Sequence, residues 1–323
     1  MSLLKKISSN IIPQKYGYHL VMFLRYWSVL KLYNFAKTVI CYALGKRHLS
    51  SYPPFLKIET TNRCYMGCKY CYVSKSKQNF LFDDYKKLVD QLSSYLFEVS
   101  LHDIGEPLLN KEIMDYIHYA HDKKVGTIMS TALAVRKSDE FWEELVTSGL
   151  DHLIVATDGI TQESYSKYRI NGDITLVFKN LEKLISLRKT HKSKLLITWQ
   201  MISFDWNKHE HVDAKKLALS LGCDSFKLVQ DEFIPRRNYY LNPIERTRHC
   251  LMPFLMFIVR ADGKVRPCCN IYLGIANNIK EENLVADIKK QSFDEAWNSP
   301  QICDIRNKKS IGKHDYCKYC REM

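Results

Sequence analysis

Phe55-Leu-Lys-Ile-Glu-Thr-Thr-Asn-Arg-Cys64-Tyr-Met-Gly-Cys68-Lys-Tyr-Cys71 runs from a β-forming stretch straight into three closely spaced thiols. Its first six residues, Phe55 to Thr60, predict a strand, and the cysteines fall in the loop that follows. Beyond Cys71 the pattern alternates. Helical periodicity is expected over 83–96, 110–123, 137–148, 173–190 and 207–221, with strands over 97–102, 125–131, 152–157, 194–203 and 224–229. Short apolar strands joined by helical connections make parallel βα units. Six such strands fit an open, partial (β/α)6 TIM-like barrel better than a closed eight-stranded one, and chemistry in such sheets sits at the C-terminal strand ends. The cysteine loop falls at that end of the first strand.

The composition suits a folded protein of this size. The chain has 323 residues, 46% hydrophobic and 26% charged, which excludes disordered, collagen-like and disulfide-scaffold classes. Its formal charge of +13 favours anionic partners, but the excess is uneven. Residues 1–58 contain no acid, and residues 1–50 carry eight cations, leaving +5 on the other 273. From Tyr16 to Leu44 the sequence is apolar and aromatic, yet Arg25, Lys31 and Lys37 interrupt it at six-residue intervals. No uncharged run reaches the roughly 20 residues of a membrane span. On one continuous helix those cations would lie about 120° apart, so two shorter helices, broken near Ser28–Asn34, fit better. Residues 1–50 are therefore expected to be a basic helical extension, either an anchor on anionic lipid or a cap packed on the barrel.

Eleven cysteines is an odd and high number, against a complete disulfide set. Their clustering without a secretory signal points to metal or cluster ligands in a reducing, cytoplasmic compartment, peripheral to the membrane if the extension anchors. Cys64, Cys68 and Cys71, spaced C-x3-C-x2-C, suit three corners of a cubane [4Fe–4S] cluster whose fourth iron stays open to a small chelator. The alternative is a structural zinc site completed by a fourth Cys or His. Residues at the other strand ends suit one ligand. Gly105-Glu106-Pro107 follows the second strand, Ser130-Thr131 ends the third, Thr157-Asp158 ends the fourth, and Gln200 lies on the fifth. Carbonyls and a carboxylate suit an ammonium group, and an Asp or hydroxyl suits ribose. Arg236 and Arg237, after the sixth strand, are candidates for a substrate anion.

These residues resemble the radical S-adenosylmethionine (SAM) enzymes. The match is carried by the cysteine triad with Tyr70 before its last member, by Gly105-Glu106-Pro107, by Asp151 to Gly159, and by Tyr168-Arg169 with Gly172-Asp173. The resemblance implies that the triad holds a [4Fe–4S] cluster chelating the SAM amine and carboxylate, and that reduction yields a 5′-deoxyadenosyl radical that abstracts a substrate hydrogen. It assigns Glu106 to the methionyl amine, Arg169 to its carboxylate, and Thr157 or Asp158 to the ribose. A flavodoxin or ferredoxin would be the reductant. Two departures stand out. Ile104-Gly105 replaces paired glycines, and Thr131-Ala132-Leu133 stands where relatives often carry Thr-Asn-Gly.

The last quarter resembles the SPASM/Twitch extension. Val259 to Cys269 looks like its hairpin, with Asp262-Gly263 as the turn, and Phe293 to Trp297 like its helix. Four ligands, Cys250, Cys268, Cys317 and Cys320, imply the shortened Twitch type with one fully ligated auxiliary [4Fe–4S] cluster, suited to electron transfer. The domains expected are thus 1–50, 51–240 and 241–323. An oxidoreductase acting on an anionic saccharide, lipid or lipid-linked substrate is the leading expectation. Hydrogen return from a thiol, for which Cys269 is the candidate donor, would instead give an epimerase. A ribosomal-peptide maturase is the alternative; against it, the first 50 residues show no acid-containing, strand-rich domain for gripping a leader peptide. A zinc-stabilised nucleic-acid-binding protein is the other class, disfavoured because the charge sits in one apolar segment.

Overall fold

The computed structural model describes residues 17–69, 71, 77–230, 250–266 and 286–307. Strands β1 (Phe55–Ile58), β2 (Glu98–Ser100), β3 (Gly126–Thr131), β4 (His152–Ala156), β5 (Leu196–Ser203) and β6 (Ser225–Gln230) pair in parallel in sequence order. β4 is buried at every residue, as expected of a central parallel strand covered on both faces. Helices α3 (Phe82–Leu92), α4 (Ile113–Asp122), α5 (Asp139–Thr147), α6 (Gln162–Ser166), α7 (Ile174–Thr190) and α8 (His211–Leu221) lie in the connections. Caps start several of them where the sequence supplies an oxygen. Ser138 accepts from Phe141 N–H, and Asp173 accepts from Thr175 and Leu176 N–H.

Three further strands extend the sheet beyond β1. β7 (Met256–Val259) follows the short helix α9 (Met252–Leu255) and pairs parallel with β1; β8 (Lys264–Arg266) and β9 (Ala286–Asp287) then add antiparallel. The sheet order is β6-β5-β4-β3-β2-β1-β7-β8-β9, an unclosed barrel wall. The β7–β8 turn uses Gly263 at φ +88°, a conformation that favours glycine. Helices α10 (Phe293–Trp297) and α11 (Pro300–Ile305) close the described chain. The C-terminal hairpin is therefore part of the same sheet as the barrel.

The N-terminal extension forms two helices, α1 (Gly17–Tyr26) and α2 (Val29–Ala43), separated at Trp27-Ser28, with the Ser28 hydroxyl capping α2. They cover the N-terminal ends of the strands, opposite the cysteine loop. His19 Nδ1 lies 2.8 Å from the Glu98 carboxylate at the start of β2, and Arg25 and Tyr26 reach Asp151 just before β4. Met22 packs so closely on Gly126 that a Cβ there would meet its sulfur at 2.8 Å. The last helices tie this extension down: Trp297 Nε1 donates to Ser51 O, and Asn298 bonds both Leu49 backbone groups.

Candidate active site

The C-terminal strand ends gather most of the residues singled out above. The cysteine loop leaves β1 through buried Thr60, Thr61 and Asn62. It is fastened across the sheet mouth to the segment after α6: Gly67 N–H donates to Ile170 O (2.9 Å) and Lys69 N–H to Tyr168 O (3.2 Å). The three thiols sit close enough to feel one another. Burial pushes the Cys64 thiol up to about 11, with Glu106 and Cys68 adding to the effect. Cys71 is exposed as a residue, yet crowding around its sulfur and the Cys68 and Cys64 thiols push it up to about 12. Burial raises all three, Cys68 adds to the rise at Cys64, and Cys68 and Cys64 add to it at Cys71, a donor set that a cationic iron core would relieve. Among the described residues, no group of three His, Cys, Asp or Glu closes around a single-ion site. A cubane takes each thiolate on a different iron, so its ligands need not converge on one point.

Gly105 brings the second loop against the first. A Cβ at Gly105 would lie 2.0 Å from the Thr61 carbonyl oxygen, so only glycine allows this approach. Glu106 N–H then donates to Arg63 O, one residue before Cys64. The Glu106 carboxylate is buried and accepts from Thr131 Oγ1 (2.6 Å), Ala132 N–H (2.9 Å) and Leu108 N–H (3.2 Å). Pro107 opens the short 3-10 turn that follows. Glu106 thus clamps the loop after β2 to the end of β3; two carboxylate oxygens offer about four acceptor sites, so the clamp leaves room for another donor.

The fourth strand end completes the arrangement. Asp158 is buried; its Oδ2 receives Arg169 Nε at 2.6 Å and its Oδ1 receives Ile202 N–H at 2.7 Å. Arg169 Nη1 reaches 3.8 Å from Cys68 Sγ, linking the carboxylate to the thiol loop, and Arg169 stays charged. Thr157 is buried, and its hydroxyl is without a hydrogen-bond partner among the described residues. Its backbone is held by Gln200 O and Trp199 Nε1. An orphaned buried hydroxyl at the strand-end mouth fits a ligand that brings its own hydrogen-bonding groups. Ser130 and Gln200 are half-buried on β3 and β5. Cys250 lies just before α9, partly buried against the core. Tyr70, Cys268, Cys269, Cys317, Cys320, Arg236 and Arg237 lie outside the described residues.

Several supporting residues carried no motif. Asn180 on α7 donates to Leu133 O (2.8 Å) and Val135 O (2.7 Å), shaping the loop after β3. Leu133 itself holds φ +56°, which accounts for the glycine that relatives often place there. Glu210 accepts from Ile160 N–H, Thr161 and Ser164, and Asn207 donates to Asp158 O. At the end of β1, Glu59 accepts from Ala261 N–H, while Asp103 takes Lys57 Nζ (3.0 Å) and Arg266 Nη1 (2.9 Å). These charges join the β7–β8 hairpin to the strand that launches the cysteine loop. The only sequence signal was charge at strand ends, which does not name partners.

Known proteins place this geometry. Residues 58–199 match the Radical SAM superfamily, and residues 250–321 match the iron-sulfur cluster-binding domain SPASM. A probable GTP 3′,8-cyclase of Methanococcus maripaludis is 23% identical over 272 residues, 71% of this chain and 86% of that protein. The PqqA peptide cyclase of Bradyrhizobium diazoefficiens is 24% identical over 188 residues, 56% of this chain and 47% of that protein. Among solved structures, Streptococcus suis SuiB bound to precursor peptide SuiA superposes with TM-score 0.65 at 15% identity, covering 90% of this chain and 75% of that one. BtrN in complex with AdoMet and 2-DOIA superposes with TM-score 0.53 at 18% identity, covering 85% and 95%. With its thiol triad at the mouth of the parallel wall, the chain carries a radical SAM domain over residues 58–199 and a SPASM iron–sulfur cluster-binding domain over residues 250–321, so SAM and [4Fe–4S] clusters are its cofactors.

Proposed function

We propose that this radical SAM enzyme modifies a peptide. Similarity to PqqA peptide cyclase in sequence, and to SuiB with its precursor peptide in fold, supports peptide over the saccharide substrate expected from the shortened extension and the lipid substrate expected from the acid-free aromatic N-terminus. The observation that carries the chemistry is the single cluster of Cys64, Cys68, Cys71, Glu106, Asp158 and Arg169 at the strand mouth. When bound there, a three-cysteine cluster with SAM supplies a hydrogen-abstracting radical on reduction. The chain's own residues hold and orient. Cys64, Cys68 and Cys71 ligate, and Arg169 offsets their negative charge while Asp158 fixes its guanidinium. Glu106 keeps the second loop against the first and meets the methionyl amine with its spare acceptor capacity. Thr157 Oγ1, Asp158 and Gln200 would hold the nucleoside portion, with Ser130 and Thr131 beside them. Cys250, Cys268, Cys317 and Cys320 would hold one auxiliary cluster, which would supply an electron acceptor for an oxidative reaction; Cys269 would be the hydrogen donor only if the product is an epimer.

The test is 5′-deoxyadenosine formation by the reduced, anaerobically reconstituted protein. Peptides encoded beside its gene, GTP and nucleotide sugars are added in turn. Stimulation by a peptide that itself changes mass supports the proposal, and stimulation by a nucleotide sugar alone overturns it. Cys68→Ala should abolish cleavage of SAM in every case. A second reading keeps a small non-peptide substrate, as in the superposed BtrN, whose complex holds AdoMet and 2-DOIA.

A further inference from the structure

Helix α2 is built inside out. Its buried stripe is Lys31, Asn34, Thr38 and Cys41, spaced three and four apart, so one face of the helix packs polar groups inward. Each of the three polar ones is satisfied. Lys31 Nζ donates to Lys124 O, Asn34 exchanges bonds with both Tyr52 backbone groups, and Thr38 donates to Asn34 O. The apolar face points away from the protein. Val29 is 78% exposed, Tyr33 64%, Ile40 56% and Leu44 67%, and Trp27 between the helices is 59% exposed. Of the fifteen exposed large hydrophobic residues among those described, nine fall between Leu24 and Leu44. Scattered single apolar residues are ordinary on a surface, but an apolar face running the length of a helix, with Trp27 and Leu24 just before it, marks an interaction site.

We infer that the outward face of α2, together with Leu24 and Trp27 beside it, docks on an anionic lipid bilayer surface. Charge selects this occupant. Residues 1–58 contain no acid, and Lys46 and Arg47 are exposed immediately after α2. The acids beneath the helices, Glu98 and Asp151, are buried and engaged by His19 and Arg25. An apolar face with Trp and Tyr and a cationic margin is what an interfacial helix presents to anionic headgroups. A second copy of this chain is a poorer occupant, because a two-fold interface would set identical cationic margins against each other. The helices lie on the bilayer instead of crossing it. None among the described residues is long and apolar enough to span, and fifteen residues of α2 reach only about 22 Å. The docked face lies at the N-terminal strand ends, so the cysteine mouth faces away from the lipid. This inference stands whether the substrate is a peptide or a saccharide.

The test uses the whole holoprotein with vesicles of phosphatidylcholine, with or without one-third phosphatidylglycerol. Trp27 is the reporter. Trp142, Trp199 and Trp297 are buried and Trp206 is half-buried, so a vesicle-induced blue shift and quenching by acyl-brominated lipid read out this surface. Expected are binding to the anionic vesicles only, weakening with salt, and about a tenfold or greater loss of partitioning in Val29→Ser/Ile40→Ser at unchanged melting temperature. Absence of the blue shift and quenching in the unaltered protein overturns the inference, as does equal binding by the double variant. A dimer that the variant converts to monomer, with no vesicle binding, assigns the face to a second copy and also overturns it.

Discussion

Gly105→Ala places a methyl group where the structure has a backbone. The new Cβ would sit 2.0 Å from Thr61 O, 2.7 Å from Thr61 C and 2.9 Å from Asn62 Cα. All three atoms are main chain, so no side-chain rotation relieves the contact. Real Cβ contacts are not shorter than about 3.0 Å, so one loop must move by at least about 1 Å. Neither loop moves freely: Glu106 N–H is bonded to Arg63 O, and the Glu106 carboxylate to Thr131 and Ala132. Overpacking of this kind costs about 1–3 kcal/mol, lowering the melting temperature by about 2–6 °C. The larger effect is local, because Thr61 lies three residues before Cys64. Anaerobic reconstitution followed by iron analysis should give about half the iron of the parent protein, the auxiliary site retaining its share. The SAM-dependent change in the electron paramagnetic resonance of the reduced cluster should vanish. Retention of parental iron and of that spectral change would refute the coupling between the two loops, whatever the melting temperature did.

Thr157→Val removes a buried hydroxyl that has no protein partner among the described residues, so it should leave the SAM-free melting temperature unchanged or raise it; SAM affinity measured by calorimetry should fall about five- to tenfold. Asn180→Ala strips two hydrogen bonds from the carbonyls of Leu133 and Val135, and urea unfolding should show a loss of about 2–4 kcal/mol. Burial lowers the Lys31 ammonium to about 8 from its usual 10.5. Between those values the unfolded chain holds one more proton than the folded one, so stability should rise with pH across that window. Lys31→Met should flatten the rise in denaturation curves. Cys317→Ala should lower iron by about half while some SAM cleavage persists, if the auxiliary cluster is independent of the first.

The barrel was legible because each strand is a short apolar run between helices of regular periodicity. β3, expected over 125–131, spans Gly126–Thr131, and the helix expected over 173–190 spans Ile174–Thr190. Helix ends were less legible: the one expected over 207–221 begins at His211, because Lys208–Glu210 form a 3-10 turn that Asn207 anchors to Asp158. The short helix Gln162–Ser166 carried too few residues for a periodic signal. Among site residues, Cys64, Cys68 and Cys71 stand out because their spacing alone is chemically meaningful. Asn180 and Glu210 do not, since an Asn or Glu in a helix carries no sign of the carbonyl or amide it will meet.

From its residues alone this chain declares an open parallel barrel, a three-thiol loop at its mouth and an acid-free apolar beginning, because periodicity, close spacing and charge are local properties. Folding decided the rest. It placed Gly105 against Thr61, turned Glu106 onto Thr131, linked Arg169 to both Asp158 and Cys68, and joined the C-terminal hairpin to β1. It also turned the polar stripe of α2 inward and its apolar stripe out. Most of these are contacts between segments distant in the chain, and which face of an element meets a neighbour is set by the packing of the whole sheet, not by the element's own sequence.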